Sequence, residues 1–454
     1  MSSIVLQDIS VTITIDQHSL LNKLKSNFLY NLGESHESTA HSTTHIKLLN
    51  NINGILCSNK LICILGGSGA GKSTLLNVMT NRLTASHNTN TLQVSGSIYT
   101  YNQLTQQKQC YNKHNISYVP QQSILLAQLT VYETLYYYTK LQLYTWSDEQ
   151  HELHIDTIIN QLQLNKCRHT RVGDEYTQGI SGGERKRLNI AIELIKQNNL
   201  LILDEPSTGL DSNTSYKLIK LLKSSVTQHN ITVICSMHQP TSAILEQFDE
   251  LMLLSKGNMV YCGRLDNVVP YFNQLGYQYN STHDNLADWL LDITSVNYKT
   301  NDVDMIRIDM LTAAYQQYYK QQQLQSLQYK HDLIQQSTTS MINIITTHTQ
   351  HNNTMNMIQR NTDQQLSIRS SIYLWCLQFY YLLLRSYTCI TRMPLLRAAQ
   401  LCTTVVMGLF IGLVYLHIGT DQTAIQNWLG SIYFILICII MSAGVSHQLF
   451  VQLI

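Results

Sequence analysis

The sequence carries almost no net charge: thirty Lys and Arg stand against twenty-nine Asp and Glu, a formal +1 over 454 residues. Binding to a nucleic-acid backbone draws on a surplus of basic side chains, so that class of function is set aside. No C-x-x-C pair occurs among the ten cysteines. That excludes the common metal-ligand and dithiol spacings and fits reduced thiols in a cytosolic or membrane-embedded chain. Phe is scarce, 7 against 27 Tyr. With abundant Gln, Asn and Thr, this reads as compositional bias and not as chemistry. Met1 to Asp16 has no basic segment followed by an apolar stretch, so no cleavable signal peptide is expected. Any membrane insertion has to come from further along.

What is present divides the chain into two or three domains. Residues 4–14 are β-branched and partly alternating, as in a strand, and a polar Ser/His/Thr-rich insert at about 33–45 reads as a loop. The apolar run Leu61 to Leu65 is a short buried strand ending at paired glycines. From there to about residue 295, strands alternate with helical stretches, the pattern of an α/β domain with a largely parallel sheet. Residues 299–366 are polar and Gln/Thr-rich, and read as a linker. Within 367–396, Ile372, Trp375, Cys376, Phe379, Leu382 and Leu383 recur at helical spacing. The uncharged part is too short to span a bilayer, so a connecting helix is expected, lying on the membrane surface or packed on a cytosolic domain. In 397–454, Ala398 to Leu416 and Trp428 to Ser446 are each nineteen residues without a charge. Such spans suit transmembrane helices, at about 398–416 and 428–450. Arg385, Arg392 and Arg397 precede them, which puts the N-terminal side in the cytosol.

Two motifs carry chemistry. Gly66-Gly67-Ser68-Gly69-Ala70-Gly71-Lys72-Ser73-Thr74 follows the phosphate-loop pattern between an apolar strand and a helix. Gly66, Gly69 and Gly71 free backbone N–H groups to face phosphates at a helix N-terminus. In this motif Lys72 reaches the β- and γ-phosphates, and Ser73, followed by Thr74, offers its hydroxyl to Mg2+. The second motif, Leu200-Leu201-Ile202-Leu203-Asp204-Glu205, is an apolar strand ending in two carboxylates. Asp204 suits Mg2+, and Glu205 suits the orientation of an attacking water.

Further stretches occur in the order found in ABC proteins. Ser181-Gly182-Gly183-Glu184-Arg185-Lys186-Arg187 resembles the ABC signature, and Pro206-Ser207-Thr208-Gly209-Leu210-Asp211 the D-loop. Ser236-Met237-His238-Gln239-Pro240 resembles the H-loop, and Tyr118-Val119-Pro120-Gln121 the Q-loop. Leu129-Thr130-Val131-Tyr132-Glu133-Thr134-Leu135, Phe248 to Leu254, and Asn285 with Ala287-Asp288 are similar to segments of the G (White-type) subfamily, whose nucleotide domain precedes its membrane helices. The sequence departs from that pattern at Gln122, where an acid is common, and at Leu286, where proline is common; no aromatic residue within positions 1–20 offers itself to stack on adenine.

The resemblance implies an α/β P-loop ABC nucleotide-binding domain over 1–298 followed by a partial α-helical transmembrane domain showing two of the family's six helices. It implies an ATP-hydrolysing half-transporter exporting a lipid-like or other small hydrophobic substrate. Such a protein would sit in membrane lipid as a multi-pass subunit, with ATP and Mg2+ as cofactors. It would work as a homodimer or as a heterodimer with another G-type half-transporter. Glu205, His238 and Gln121 would be catalytic, with Gln121 joining Ser73 and Asp204 around the metal. Ser181, Gly182, Gly183 and Asp211 would face nucleotide across the dimer. The alternative is a truncated, non-transporting product that binds and regulates a full-length partner.

Overall fold

The structure is a computed structural model that describes residues 2–16, 43–83, 91–102, 107–111, 116–122, 124–174, 177–280, 285–296, 301–341, 368–415 and 428–437. The chain forms two compact units, residues 1–123 with 196–355 and residues 124–195 with 356–454. The first unit begins with β1 (Ser2–Asp16), β2 (Thr43–Cys57), β3 (Leu61–Leu65), α1 (Lys72–Thr80), β4 (Thr91–Asn102), β5 (Gln107–Cys110) and β6 (Ile116–Val119). The second opens with α2 (Val131–Gln142), α3 (Asp148–Gln161) and α4 (Gly182–Leu194). The chain then returns to the first unit with β7 (Leu200–Leu203), α5 (Ser212–His229), β8 (Thr232–Met237), α6 (Ser242–Leu245), β9 (Glu250–Ser255) and β10 (Asn258–Arg264). There follow α7 (Val268–Gln274), α8 (Leu286–Thr294) and α9 (Asn301–Met341). The second unit closes with α10 (Ile368–Thr391), α11 (Pro394–Val414) and a helical stretch over 428–437.

In the first unit, β10-β9-β3-β8-β7-β6 form one sheet, parallel except for the β10–β9 pair. A parallel strand covered on both faces needs a continuous apolar run. β3, β7 and β8 meet that demand, with every residue buried. A second, antiparallel sheet runs β2-β1-β4-β5. Leu6, Ile9, Leu49, Ile52, Ile64, Leu75, Ile202 and Ile234 belong to a common core. Because β3 lies between β8 and β9, the loop leaving its carboxyl end emerges mid-sheet, where open α/β sheets hold their ligands.

The insert expected at 33–45 lies outside the described residues as far as 42, and its last three residues open β2. The segment read as a linker begins with α9, whose Ile308, Leu311, Tyr315 and Tyr319 are buried. Their three- and four-residue spacing is a packing stripe. Tyr315 Oη donates to Asn53 O at 2.8 Å. The remainder of that segment, 342–366, lies outside the described residues.

In the second unit, Thr130 caps α2: its hydroxyl accepts the Glu133 N–H, and its own N–H donates to Glu133 Oε2 at 2.9 Å. The same carboxylate takes both guanidinium arms of Arg392, Nη1 to Oε2 and Nη2 to Oε1, each at 2.6 Å. Arg392 Nη1 also donates to Gln128 O at 2.8 Å. Cys389 on α10 is buried with Leu129 and Tyr137. The aromatic residues Tyr373, Trp375, Phe379, Tyr380 and Tyr387 on the same helix are exposed. Among the described residues no helix is long and apolar enough to cross a membrane. Of the two expected spans, 398–414 and 428–437 are helical, and the ends at 416 and 438–450 lie outside the described residues.

Burial alone would raise the Glu133 carboxyl, but hydrogen bonds from Arg392 and from the Thr130 N–H outweigh it and hold it below the usual glutamate range. A depressed folded pKa contributes stability above the unfolded value and loses it as pH falls through the folded one. Arg392 and Glu133 keep 24% and 28% side-chain exposure, which screens the pair. Arg392→Ala is therefore expected to cost about 1–2 kcal/mol at neutral pH. In thermal melts from about pH 7 down to about pH 3, the gap between wild type and variant should narrow as Glu133 protonates. A gap of constant size would contradict this account.

Candidate functional site

The loop 66–74 leaves β3 and becomes α1 within a few residues, and sterics explain its glycines. A Cβ on Gly66 would lie 2.5 Å from Leu254 O. Gly71, the residue before α1, has φ 98, and a Cβ there would lie 2.7 Å from Leu49 Cδ2. Only glycine takes both that conformation and that contact at low cost. The turn at Gly257 braces the loop from below: its N–H donates to Ala70 O at 3.1 Å, and its carbonyl accepts Asn50 N–H at 2.8 Å. Cβ atoms built on Gly67 and Gly69 would meet nothing within 4 Å, so the loop's outer side is open.

Lys72 is buried, and its Nζ donates to Gly66 O at 2.6 Å and Gly67 O at 3.1 Å. Burial lowers its pKa, and the carboxylates of Glu205 and Asp204 act in the opposite direction. One residue on, Ser73 Oγ donates to Asp204 Oδ1 at 3.2 Å. Asp204 is itself buried at the end of β7, and its N–H donates to Val119 O at 2.9 Å, which ties β7 to the strand leading to Gln121. Ser236 Oγ donates to Asp204 Oδ1 at 2.6 Å and accepts the Glu205 N–H at 2.8 Å.

At Glu205 the backbone is left-handed, φ 44. For a non-glycine residue this conformation costs about 1–3 kcal/mol and is found at functional turns. Glu205 Oε2 accepts Gln121 Nε2 at 2.8 Å and Thr208 Oγ1 at 3.0 Å. His238 is exposed just beyond β8. The loop that carries it is anchored by Asn285, whose Nδ2 donates to Pro240 O at 3.3 Å while Oδ1 accepts Ser242 Oγ at 2.7 Å.

The first unit thus brings together Gly66 to Thr74, Gln121, Asp204 and Glu205. Asp211 plays a structural part, since its Oδ2 accepts Thr214 N–H at 3.0 Å as the N-cap of α5, and hydrogen bonds from the Thr214 side chain and N–H hold its carboxyl below the usual range. Ser181, Gly182 and Gly183 belong to the second unit, where Ser181 caps α4. The Ser181 hydroxyl accepts Glu184 N–H and donates to Glu184 Oε2 at 2.9 Å. Sequence reasoning assigned nothing to Ser236, Thr208 or Asn285 at this site, although all three lie in stretches that carried the resemblance. Ser236 and Thr208 stand close in sequence to the assigned His238 and Glu205, which does not reveal the bonds they make, and Asn285 has no assigned residue near it in sequence.

The donor set suits a nucleotide with Mg2+. A hydroxyl and a carboxylate within hydrogen-bond reach are hard oxygen ligands of the kind Mg2+ takes. Among the described residues no group of three or more His, Cys, Asp and Glu could hold a metal ion. A metal here would complete its shell with phosphate and water oxygens, which is how Mg2+ commonly sits at nucleotide sites. The open outer side of the glycine loop gives phosphates room.

Gly71→Ala should lower thermal stability by about 1–2 kcal/mol from its left-handed backbone alone, with the Leu49 contact adding to it. Gly67→Ala should shift the midpoint by less than about 0.5 kcal/mol. Equal shifts in paired melts would refute the steric reading.

Comparison with known proteins agrees with this geometry. Residues 49–208 match the family described as ABC transporter, and residues 377–453 match the family described as ABC-2 type transporter. The chain is 31% identical over 418 residues to the broad substrate specificity ATP-binding cassette transporter ABCG2 of Rattus norvegicus, covering 91% of this chain and 59% of that protein. It is 38% identical over 261 residues to ABC transporter G family member 1 of Dictyostelium discoideum, covering 56% of this chain and 31% of that one. An uncharacterized ABC transporter ATP-binding protein/permease of Saccharomyces cerevisiae is 36% identical over 275 residues, 58% of this chain and 21% of that one. The chain therefore spans between a fifth and three fifths of the length of these relatives.

Proposed function

The chain belongs to the G subfamily of ABC transporters, and from that premise we propose that it hydrolyses ATP to drive export of a lipid-like or other small hydrophobic molecule across a membrane. The observation that carries the ATPase reading is the setting of Glu205. Its left-handed backbone is pinned through its N–H to Ser236, and its carboxylate is held by Gln121 and Thr208 beside the Asp204–Ser73 pair.

Each residue then has a distinct role. Backbone N–H groups of the loop 66–72 receive phosphate oxygens, and Lys72 exchanges its bonds to Gly66 and Gly67 carbonyls for bonds to the β- and γ-phosphates. Ser73 and Asp204 would hold Mg2+, and Gln121 would join them. The ion, when bound, neutralises charge that develops on the phosphates. Glu205 orients the attacking water and takes up its proton, and His238 donates to the γ-phosphate. Ser181, Gly182 and Gly183 at the start of α4 supply a second phosphate-facing helix end, toward nucleotide held by another subunit. The functional species is then a dimer, with itself or with another G-type chain. The match over 377–453 supports the reading of 398–416 and 428–450 as membrane spans with the nucleotide domain on the cytosolic side.

Glu205→Gln keeps the size of the side chain and removes its basicity. In a dimeric, membrane-reconstituted preparation it should lower ATP turnover by about 10²- to 10⁴-fold while nucleotide binding persists. Unchanged steady-state hydrolysis would sink the mechanism.

A further inference from the structure

The two acidic residues of the site share a hydrogen-bond partner that neither motif contains, one through its carboxylate and the other through its backbone N–H. Ser236 is fully buried on β8, between β3 and β7: it pairs in register with Ile64 on one side and lies one residue past the Leu203–Cys235 pair on the other. At that level β7 stops being a strand. Asp204 turns its carboxylate inward, and the left-handed backbone at Glu205 takes the next N–H out of the ladder. A buried N–H without an acceptor and a buried carboxylate short of a donor are each costly. One hydroxyl answers both, giving its proton to Asp204 Oδ1 at 2.6 Å and taking the Glu205 N–H at 2.8 Å.

Geometry follows from that double use. A hydroxyl has a single proton, so committing it to Asp204 leaves oxygen lone pairs to receive Glu205. The Asp204 carboxylate is thereby held with Oδ1 toward Ser236 and Ser73, and the Glu205 backbone is held in the turn that sends its side chain to Gln121 and Thr208. We propose that Ser236 is the positioning residue that sets the metal-binding carboxylate and the water-orienting carboxylate relative to each other. It stands two residues before His238, so one short segment supplies both the brace for the acids and the histidine. Ser236 is buried and acts through Asp204 and Glu205. The assignment rests on the reading of this site as an ATPase and names a residue that reading does not use.

The test compares Ser236→Ala, Ser236→Val and Ser236→Thr in the membrane-reconstituted chain, with wild type and Glu205→Gln alongside. Valine and threonine have the same shape and differ in the hydroxyl, so fit and hydrogen bonding are separated. Two readouts are taken: steady-state ATP hydrolysis, and equilibrium binding of trinitrophenyl-ATP with and without Mg2+. Ser236→Ala and Ser236→Val should lower kcat by about 10- to 100-fold with little change in KM, and should weaken the Mg2+ response of nucleotide binding by a similar factor. Metal-free binding should stay close to wild type, which also reports that the domain is folded, and Ser236→Thr should recover most of both losses. Wild-type turnover in Ser236→Ala would overturn the assignment. So would a Ser236→Thr protein as impaired as Ser236→Val, because the residue would then act through its size. Full turnover in Glu205→Gln would instead bring down the ATPase reading, and the assignment with it.

Discussion

A carboxylate buried at the end of a buried strand must be supplied with donors, and the nucleotide-binding unit is arranged around that demand. Asp204 ends β7, where it is almost entirely out of solvent. An isolated ionised carboxylate there would be prohibitively costly, so neighbouring elements each lend it something. α1 brings the Ser73 hydroxyl, β8 brings Ser236, and β6 accepts its N–H at Val119. Lys72 lies close enough for the Glu205 and Asp204 carboxylates to act on it. The parallel sheet makes this convergence possible, because the carboxyl ends of β3, β6, β7 and β8 all finish along one edge. A catalytic constellation assembled from four strand ends is thus also the solution to a burial problem.

The second unit meets a related demand with an arginine. Glu133 serves the helix it begins, closing the capping box with Thr130, and serves α10 by receiving both arms of Arg392. A planar guanidinium matches a carboxylate edge to edge, and its third contact, to the Gln128 carbonyl, fixes its direction. The capping bond and the ion pair therefore reinforce each other: a glutamate already oriented by the helix start costs less to order in the pair. Exposed Tyr387 on α10 is flanked by the buried Ser386 and Cys389, so packing and exposure are divided between faces of one helix.

Much of this was legible in the sequence, for identifiable reasons. The loop glycines, the lysine and the strand-end carboxylates stand at fixed spacing because the turn from strand to helix admits few residue types, and spacing is what a sequence displays. Strands β3 and β7 were readable as apolar runs for the same kind of reason. Ser236 was not readable, because its role arises from the register between two strands 32 residues apart in sequence. Arg392 and Glu133 are separated by 259 residues, so no local pattern connects them. The first half of α9 was passed over because it was read together with the Gln-rich stretch that follows it. Its buried Ile308, Leu311, Tyr315 and Tyr319 follow a helical period, and tyrosine can bury a ring while keeping its hydroxyl bonded, as Tyr315 does.

The hydrogen bonds already present at the site bear on how tightly it can hold nucleotide. Lys72 is satisfied by two loop carbonyls, and Glu205 by an amide and a hydroxyl. Phosphate binding is then an exchange in which bonds within the protein give way to bonds with the ligand. The net gain per bond is a difference, on the order of 1 kcal/mol, and not the full strength of a charged contact. A lysine left buried and unpaired would bind phosphate more strongly, but it would destabilise the fold or give up its charge. Bonds to the two carbonyls, with the nearby Glu205 and Asp204 carboxylates, offset part of the cost of burying the lysine and leave the ligand's contribution modest. The geometry of Gly66, Gly67 and Lys72 provides both with a single set of bonds.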